Sequence, residues 1–368
     1  MPLTSRERLT RLFNKQDIDR VPIWLLNPVD GHGSYADIYN LPCYKRLIPY
    51  IRDVCDNFNR RGYARGFCYN GNPDIKNINI EITVEGERFT VPATAYGDKV
   101  WARYTVRTGK GTRVKFMLNE PEELRDILDI PYVQPVIDAS KYEEERAALG
   151  ERGLMMADIG DALGPLYSLM GPEDFALATA THYSELLEFL DVMCERNLTL
   201  YKALLEKNIC DVFFVVGAEF AIPPLVSPDK FHDLSSRYVK QVIDLIRSYG
   251  KHSIVHCHGH IYEILDGMAY IDPDGLHTIE APPVGNCTLT QAREALKDTV
   301  LIGNIQYDDI YRFSRDEMYE AAKQTVLEGR TGRFILSPTA GPYASDIPEG
   351  MTDNYIAIIE AGLEYGKF

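Results

Sequence analysis

No apolar run in the 368-residue sequence approaches the length of a transmembrane helix, so a helical membrane span is not expected. The start, Met1-Pro2-Leu3-Thr4-Ser5-Arg6-Glu7-Arg8, lacks the apolar core of a signal peptide. No G-x-G-x-x-G turn follows an early strand, which argues against an open dinucleotide-binding sheet. Positive charge is scarce: 39 Lys and Arg face 54 Asp and Glu, a net charge of −15. That balance argues against wholesale binding of nucleic acid or anionic membranes, while a local basic pocket stays open. The seven cysteines are odd in number, scattered and without C-x-x-C spacing, which suits a reducing cytoplasm better than a disulfide framework. There is no internal repeat and no linker rich enough to split the chain, so residues 1–368 read as one domain.

What is present alternates. A hydrophobic fraction of 45% is ordinary for a globular protein and, at this length, allows a large core. Ser5 caps a short helix to Lys15 with a Leu9, Leu12, Phe13 stripe. Val21 to Leu26 is a first buried strand, Tyr44 to Asn59 a helix, and Tyr63 to Tyr69 a second strand. Over about 77–118, period-two runs broken by Glu85-Gly86, Gly97-Asp98 and Gly109-Lys110-Gly111 predict an inserted antiparallel β-hairpin subdomain. Apolar strands then alternate with amphipathic helices, among them Ser184 to Glu206 and a helix from Ser227-Pro228-Asp229 to Tyr249. Strands near Ile23, Gly66, Met155, Phe214, Val255, Thr278, Leu301 and Ile335 make about eight. The predicted fold is therefore α/β, a (β/α)8 TIM barrel with the hairpin insertion.

Such a barrel works at the C-terminal ends of its strands. Those ends carry Asp158 and Asp161, Glu219, His256 and His258, Glu280, Asn304, and the loop Ser337 to Tyr343. The centre of the pattern is Ser253-Ile254-Val255-His256-Cys257-His258-Gly259-His260, where strand alternation puts His256 and His258 on one face and Cys257 on the other. Two imidazoles with one or two of Glu219, Glu280 and Cys287 can complete a tetrahedral zinc site with an open position. The plainer alternatives are a polar strand end, salt-bridged acids, and a loop thiol at Cys287.

Read in order, several stretches resemble the uroporphyrinogen decarboxylase superfamily, which includes the corrinoid-dependent methyltransferases. They are Arg8 with Asp19-Arg20-Val21-Pro22, Leu225-Val226-Ser227-Pro228, His256-Cys257-His258-Gly259, Ile279-Glu280-Ala281-Pro282-Pro283, Ile302-Gly303-Asn304 and Ile335-Leu336-Ser337-Pro338. The resemblance implies a (β/α)8 barrel. Two departures separate this chain from its best-known members. Leu26-Asn27-Pro28-Val29-Asp30-Gly31 lacks the arginine-rich stretch that grips propionates in the decarboxylases. Thr339-Ala340-Gly341 lacks the last zinc cysteine of the methyltransferases, and His258 stands where they carry cysteine.

The resemblance therefore implies a cobalamin (corrinoid)-dependent methyltransferase. It would move a methyl group from a small O- or N-methyl donor, such as a methoxylated aromatic, to a corrinoid protein. Zinc held by His256, His258 and Glu219 or Glu280 would polarise the donor heteroatom, while Asp158, Asn304 and Tyr343 orient the donor. O-demethylation, a cytoplasmic location and a homodimer fit this reading. The alternatives are a metal-free decarboxylase of a smaller carboxylic acid, using Asp158 or Glu219 for proton handling, and a non-enzymatic docking partner of corrinoid proteins.

Overall fold

The computed structural model describes residues 2–30, 32–33, 35–341 and 347–368. Its centre is a curled parallel sheet of seven strands. These are β1 (Asn57–Arg61), β7 (Gly153–Gly160), β8 (Val212–Val216), β9 (His252–Cys257), β10 (Gly275–Thr278), β11 (Val300–Ile305) and β12 (Phe334–Pro338), neighbours in that order. Four of them are short apolar runs, such as Val212-Phe213-Phe214-Val215-Val216, which suits strands covered on both faces. The stretch expected as the first strand joins the sheet's two edges. Trp24 N donates to Leu336 O at 2.9 Å and Leu336 N to Pro22 O at 2.9 Å, while Asp56 N, just before β1, donates to Ile23 O at 2.7 Å.

Alternation sorts the strand side chains into two layers. Phe58, Met156, Phe214, Ile254, Ile302 and Ile335 pack with Trp24 in the sheet's concavity. Met155, Phe213, Val215, Val255 and Leu336 belong to the outer core under the helices. Trp24 sets its ring edge-on to Phe58 at 4.9 Å. The helix Ser5–Phe13 closes the N-terminal end by adding Leu9, Leu12 and Phe13 to the inner layer. Thr4, not Ser5, is its cap, in a reciprocal capping box with Glu7. Arg8 on that helix reaches Asp56 at 2.6 Å and Asp19 at 2.6 Å, and Arg20 reaches Asp56 at 2.7 Å.

The second strand lies earlier than expected. The helix there is only Ile48–Asp53, and residues 57–61 are extended as β1. Asn57 Nδ2 donates to the Ile51 and Cys55 carbonyls, and the two arginines capture Asp56. These local bonds end the helix where apolar spacing alone would continue it.

Between β1 and β7 the chain leaves the parallel sheet. Strands β2 (Lys76–Val84), β3 (Glu87–Tyr96) and β4 (Lys99–Ala102) pair antiparallel, as do β5 (Tyr104–Thr108) and β6 (Gly111–Lys115). Ile78, Ile80 and Ile82 pack there against Val91, Ala93 and Val106. No described helix is long and apolar enough to cross a membrane.

Candidate functional site

His256 ends β9, in register with Val216 of β8 and His277 of β10. Its Nδ1 lies 2.8 Å from His277 Nδ1, and His277 Nε2 lies 3.0 Å from the Pro338 carbonyl oxygen. His258 sits one residue past the strand and turns to Glu280, Nδ1 to Oε1 at 3.1 Å. The other Glu280 oxygen accepts Gly259 N at 2.7 Å. The two rings lie together, 4.6 Å apart and perpendicular, while Cys257 joins the outer core. Strand alternation stops at Cys257, and Gly259, at φ +83°, takes the turn that follows.

The two neighbouring imidazoles have opposite electrostatics. Burial holds His256 well below the usual histidine range, and the adjacent His277, His258 and Arg60 push it further. Burial also opposes charge on His258, but the hydrogen bond and charge of Glu280 outweigh it and raise its pKa. Burial works to raise Glu280; His258, Gly259 and Gln306 together outweigh it and lower it. Groups whose environments push their proton affinities apart are suited to acid and base roles.

Near this cluster lies a cavity of about 590 Å³, lined by Val216, the register neighbour of His256, but by none of His256, His258, Glu219 and Glu280. Arg60, Arg103 and Asp158 line it with Phe67, Tyr69, Met117, Leu169, Val216, Gly217 and Phe220. Asp158 pairs with Arg60 at 2.8 Å, and Arg60 lies 4.3 Å over the Phe214 ring. Phe220 stacks on Tyr167 at 3.9 Å. Glu219 sits between two lining residues, accepts Gly217 N at 3.2 Å, and is raised by burial against the charge of His258. Asp161, beneath Gly217, is fully buried and raised to about 7, by burial first and by Glu219 as well. A Cβ at Gly217 would collide with the Asp161 carboxyl, so this close approach requires glycine.

The expected residues thus separate. His256, His258, Glu219 and Glu280 come together, and Asp158 lines the cavity beside them. Asn304 lines a different cavity, of about 290 Å³, with Ala281, Gln306 and Asp308. Tyr343 lies outside the described residues. Cys257 and Cys287 are both fully buried, and burial pushes the Cys257 thiol well up and Cys287 to about 12. Among the described residues no three His, Cys, Asp or Glu side chains are grouped to hold a metal ion. Both Glu280 oxygens accept hydrogen bonds, from His258 and Gly259 N, and Glu219 accepts one from Gly217 N. His277, Arg60 and Gln306 were not singled out from sequence. Only His277 carried a signal, as a polar residue inside the apolar strand ending at Glu280.

A curled parallel sheet with ionisable groups clustered at its C-terminal strand ends defines an α/β protein of barrel-like architecture. The family model described as Uroporphyrinogen decarboxylase (URO-D) matches residues 75–358, and the chain belongs to that family. Among solved structures, a methyltransferase from Methanosarcina mazei is similar over 99% of both chains, with 16% identity and a TM-score of 0.64. A B12-independent methionine synthase from Shewanella sp. W3-18-1 is similar over 70% of this chain and 73% of its own, with 10% identity and a TM-score of 0.41. No curated protein sequence matches the chain.

Proposed function

We propose that this chain is a methyltransferase that takes a methyl group from a small O- or N-methyl donor in the 590 Å³ cavity and passes it to a corrinoid carried by a separate protein. The curled sheet is read as the (β/α)8 barrel of its family, with 76–115 as an insertion beside the cavity mouth. The observation that carries the reading is the cavity lining. Its size suits a small organic molecule, and its walls combine aromatic and apolar side chains with Arg60, Arg103 and Asp158. A tetrapyrrole bearing many carboxylates needs several fixed cations. Here Arg60 is already paired with Asp158, and Arg103 lies over the Phe116 ring. The fold-level likeness to the Methanosarcina mazei methyltransferase supports the same direction.

In this reaction the methyl–heteroatom bond breaks with its electron pair going to the heteroatom, and the methyl group goes to the acceptor. The departing heteroatom then needs a proton. His258, held on Glu280, and Glu219, beside the cavity, are the groups placed to handle it. Asp158 and Arg60 orient the donor from the cavity wall.

The test is methyl transfer from a panel of methoxylated aromatics and methylamines to cob(I)alamin, wild type beside His258→Ala, with metal analysis of both. Transfer by wild type and its loss in the variant are expected. Release of carbon dioxide from a carboxylic acid, with no methyl transfer, would instead establish the decarboxylase alternative, which the two cavity arginines favour. One zinc per chain, lost in His258→Ala, would restore the Lewis-acid role and displace the proton-handling one.

A further inference from the structure

His277 has no part in the reading above. It lies on β10 in register with His256 and is 1% exposed, packed near Trp24 and Phe214. Its two nitrogens face different groups: Nε2 is 3.0 Å from the Pro338 carbonyl oxygen, and Nδ1 is 2.8 Å from His256 Nδ1. The two rings are nearly coplanar, with 21° between their planes and 4.9 Å between their centroids, so the two nitrogens meet edge to edge.

These contacts determine where the hydrogens sit. A carbonyl oxygen only accepts, so His277 must carry its hydrogen on Nε2. Two nitrogens 2.8 Å apart have room for one hydrogen between them. In an imidazole protonated on Nε2, Nδ1 is the acceptor. The shared hydrogen therefore belongs to His256 Nδ1, and the bare nitrogen of His256 is Nε2. We propose that His277 is a positioning residue: anchored on the Pro338 carbonyl, it locks His256 into the Nδ1–H tautomer. His256 then offers an Nε2 lone pair to an acidic hydrogen of a bound ligand. Burial favours the neutral form of both rings, bringing His277 down to about 3. His258 differs because its Nδ1 meets a carboxylate, which accepts from either charge state of the ring.

The inference does not depend on the methyl-transfer reading, and its test needs no substrate. Imidazole ¹⁵N NMR of the labelled full-length chain reports the tautomer of each ring. His256 should show a protonated Nδ1 and a bare Nε2, and His277 the reverse. In His277→Asn, whose amide oxygen can still accept, His256 should keep its tautomer; in His277→Leu it should become a mixture. A merely structural role for His277 would change stability without moving the His256 signals. A His256 protonated on Nε2 in the wild type, or a tautomer unchanged in His277→Leu, would overturn the proposal. Should His277→Leu fail to fold, the wild-type and His277→Asn spectra still decide it.

Discussion

Asp56 and Asp161 are both fully buried carboxyl groups, at opposite ends of the parallel sheet. At the N-terminal end, Asp56 meets Arg8 on Oδ1, and Arg20 and Ile23 N on Oδ2, all within 2.9 Å. At the C-terminal end, Asp161 accepts Leu163 N and Gly164 N on Oδ1, while Oδ2 has no hydrogen-bond partner among the described residues. Glu219 adds like charge. Buried charges normally come with partners, because an uncompensated one costs several kcal/mol. The matched end therefore looks built for stability. The unmatched end carries the cavity, the histidines and the acids with raised pKa values, where function is expected.

The sharpest way to break the contrast is at Asp56. In Asp56→Asn, Arg8 and Arg20 stay buried without their shared counter-charge, and Ile23 N has a weaker acceptor. The expected loss is about 3–5 kcal/mol of unfolding free energy, read from urea denaturation. That is a large share of the roughly 5–15 kcal/mol available to a folded protein. A loss below about 1 kcal/mol would mean that the network is not what holds the helix Ser5–Phe13 to the sheet.

His258→Ala should do the reverse. The His258 side chain is 39% exposed and the buried Glu280 keeps its bond from Gly259 N, so the loss of stability should be smaller than at Asp56, about 1–3 kcal/mol. Methyl transfer should fall by about 100-fold or more, the usual effect of removing a proton-handling group. A variant that loses stability but keeps turnover would move His258 from the functional end of the comparison to the structural one.

How much of this was legible in the sequence differs between the ends. The strands leading to His256 and Glu280 each carry a short buried apolar core, Ile254-Val255 and Leu276, followed by ionisable residues, so their ends could be read directly. Strand β1, Asn57-Phe58-Asn59-Arg60-Arg61, has no such run. Past Asn57 its polar side chains pair with distant ones: Asn59 accepts Val29 N, Arg60 meets Asp158, and Arg61 meets Asp30 and Glu145. Nothing local announces those pairings. For the same reason Arg60 was missed beside a residue, Asp158, that was found. The His256–His277 contact depends on the register of two strands 21 residues apart in the chain, which period-two alternation within one strand does not specify.

The effect most specific to the unmatched end is a dependence on pH. The Asp161 carboxyl is raised to about 7 in the folded chain, while an unfolded aspartate titrates near 3.9. Between those values the folded state holds a proton that the unfolded state has released. Stability should therefore decline as pH rises through this window, by at most about 1.4 kcal/mol per pH unit from this group. Below about pH 4 both states are protonated and the contribution is flat. Asp161→Asn is neutral at every pH and can still accept Leu163 N and Gly164 N on its amide oxygen. Its unfolding free energy, measured from pH 4 to 7, should decline less steeply than that of the wild type. Parallel curves for the two proteins would mean that Asp161 is ionised in the folded chain, held by a partner not yet identified, and that the contrast between the two ends of the sheet fails.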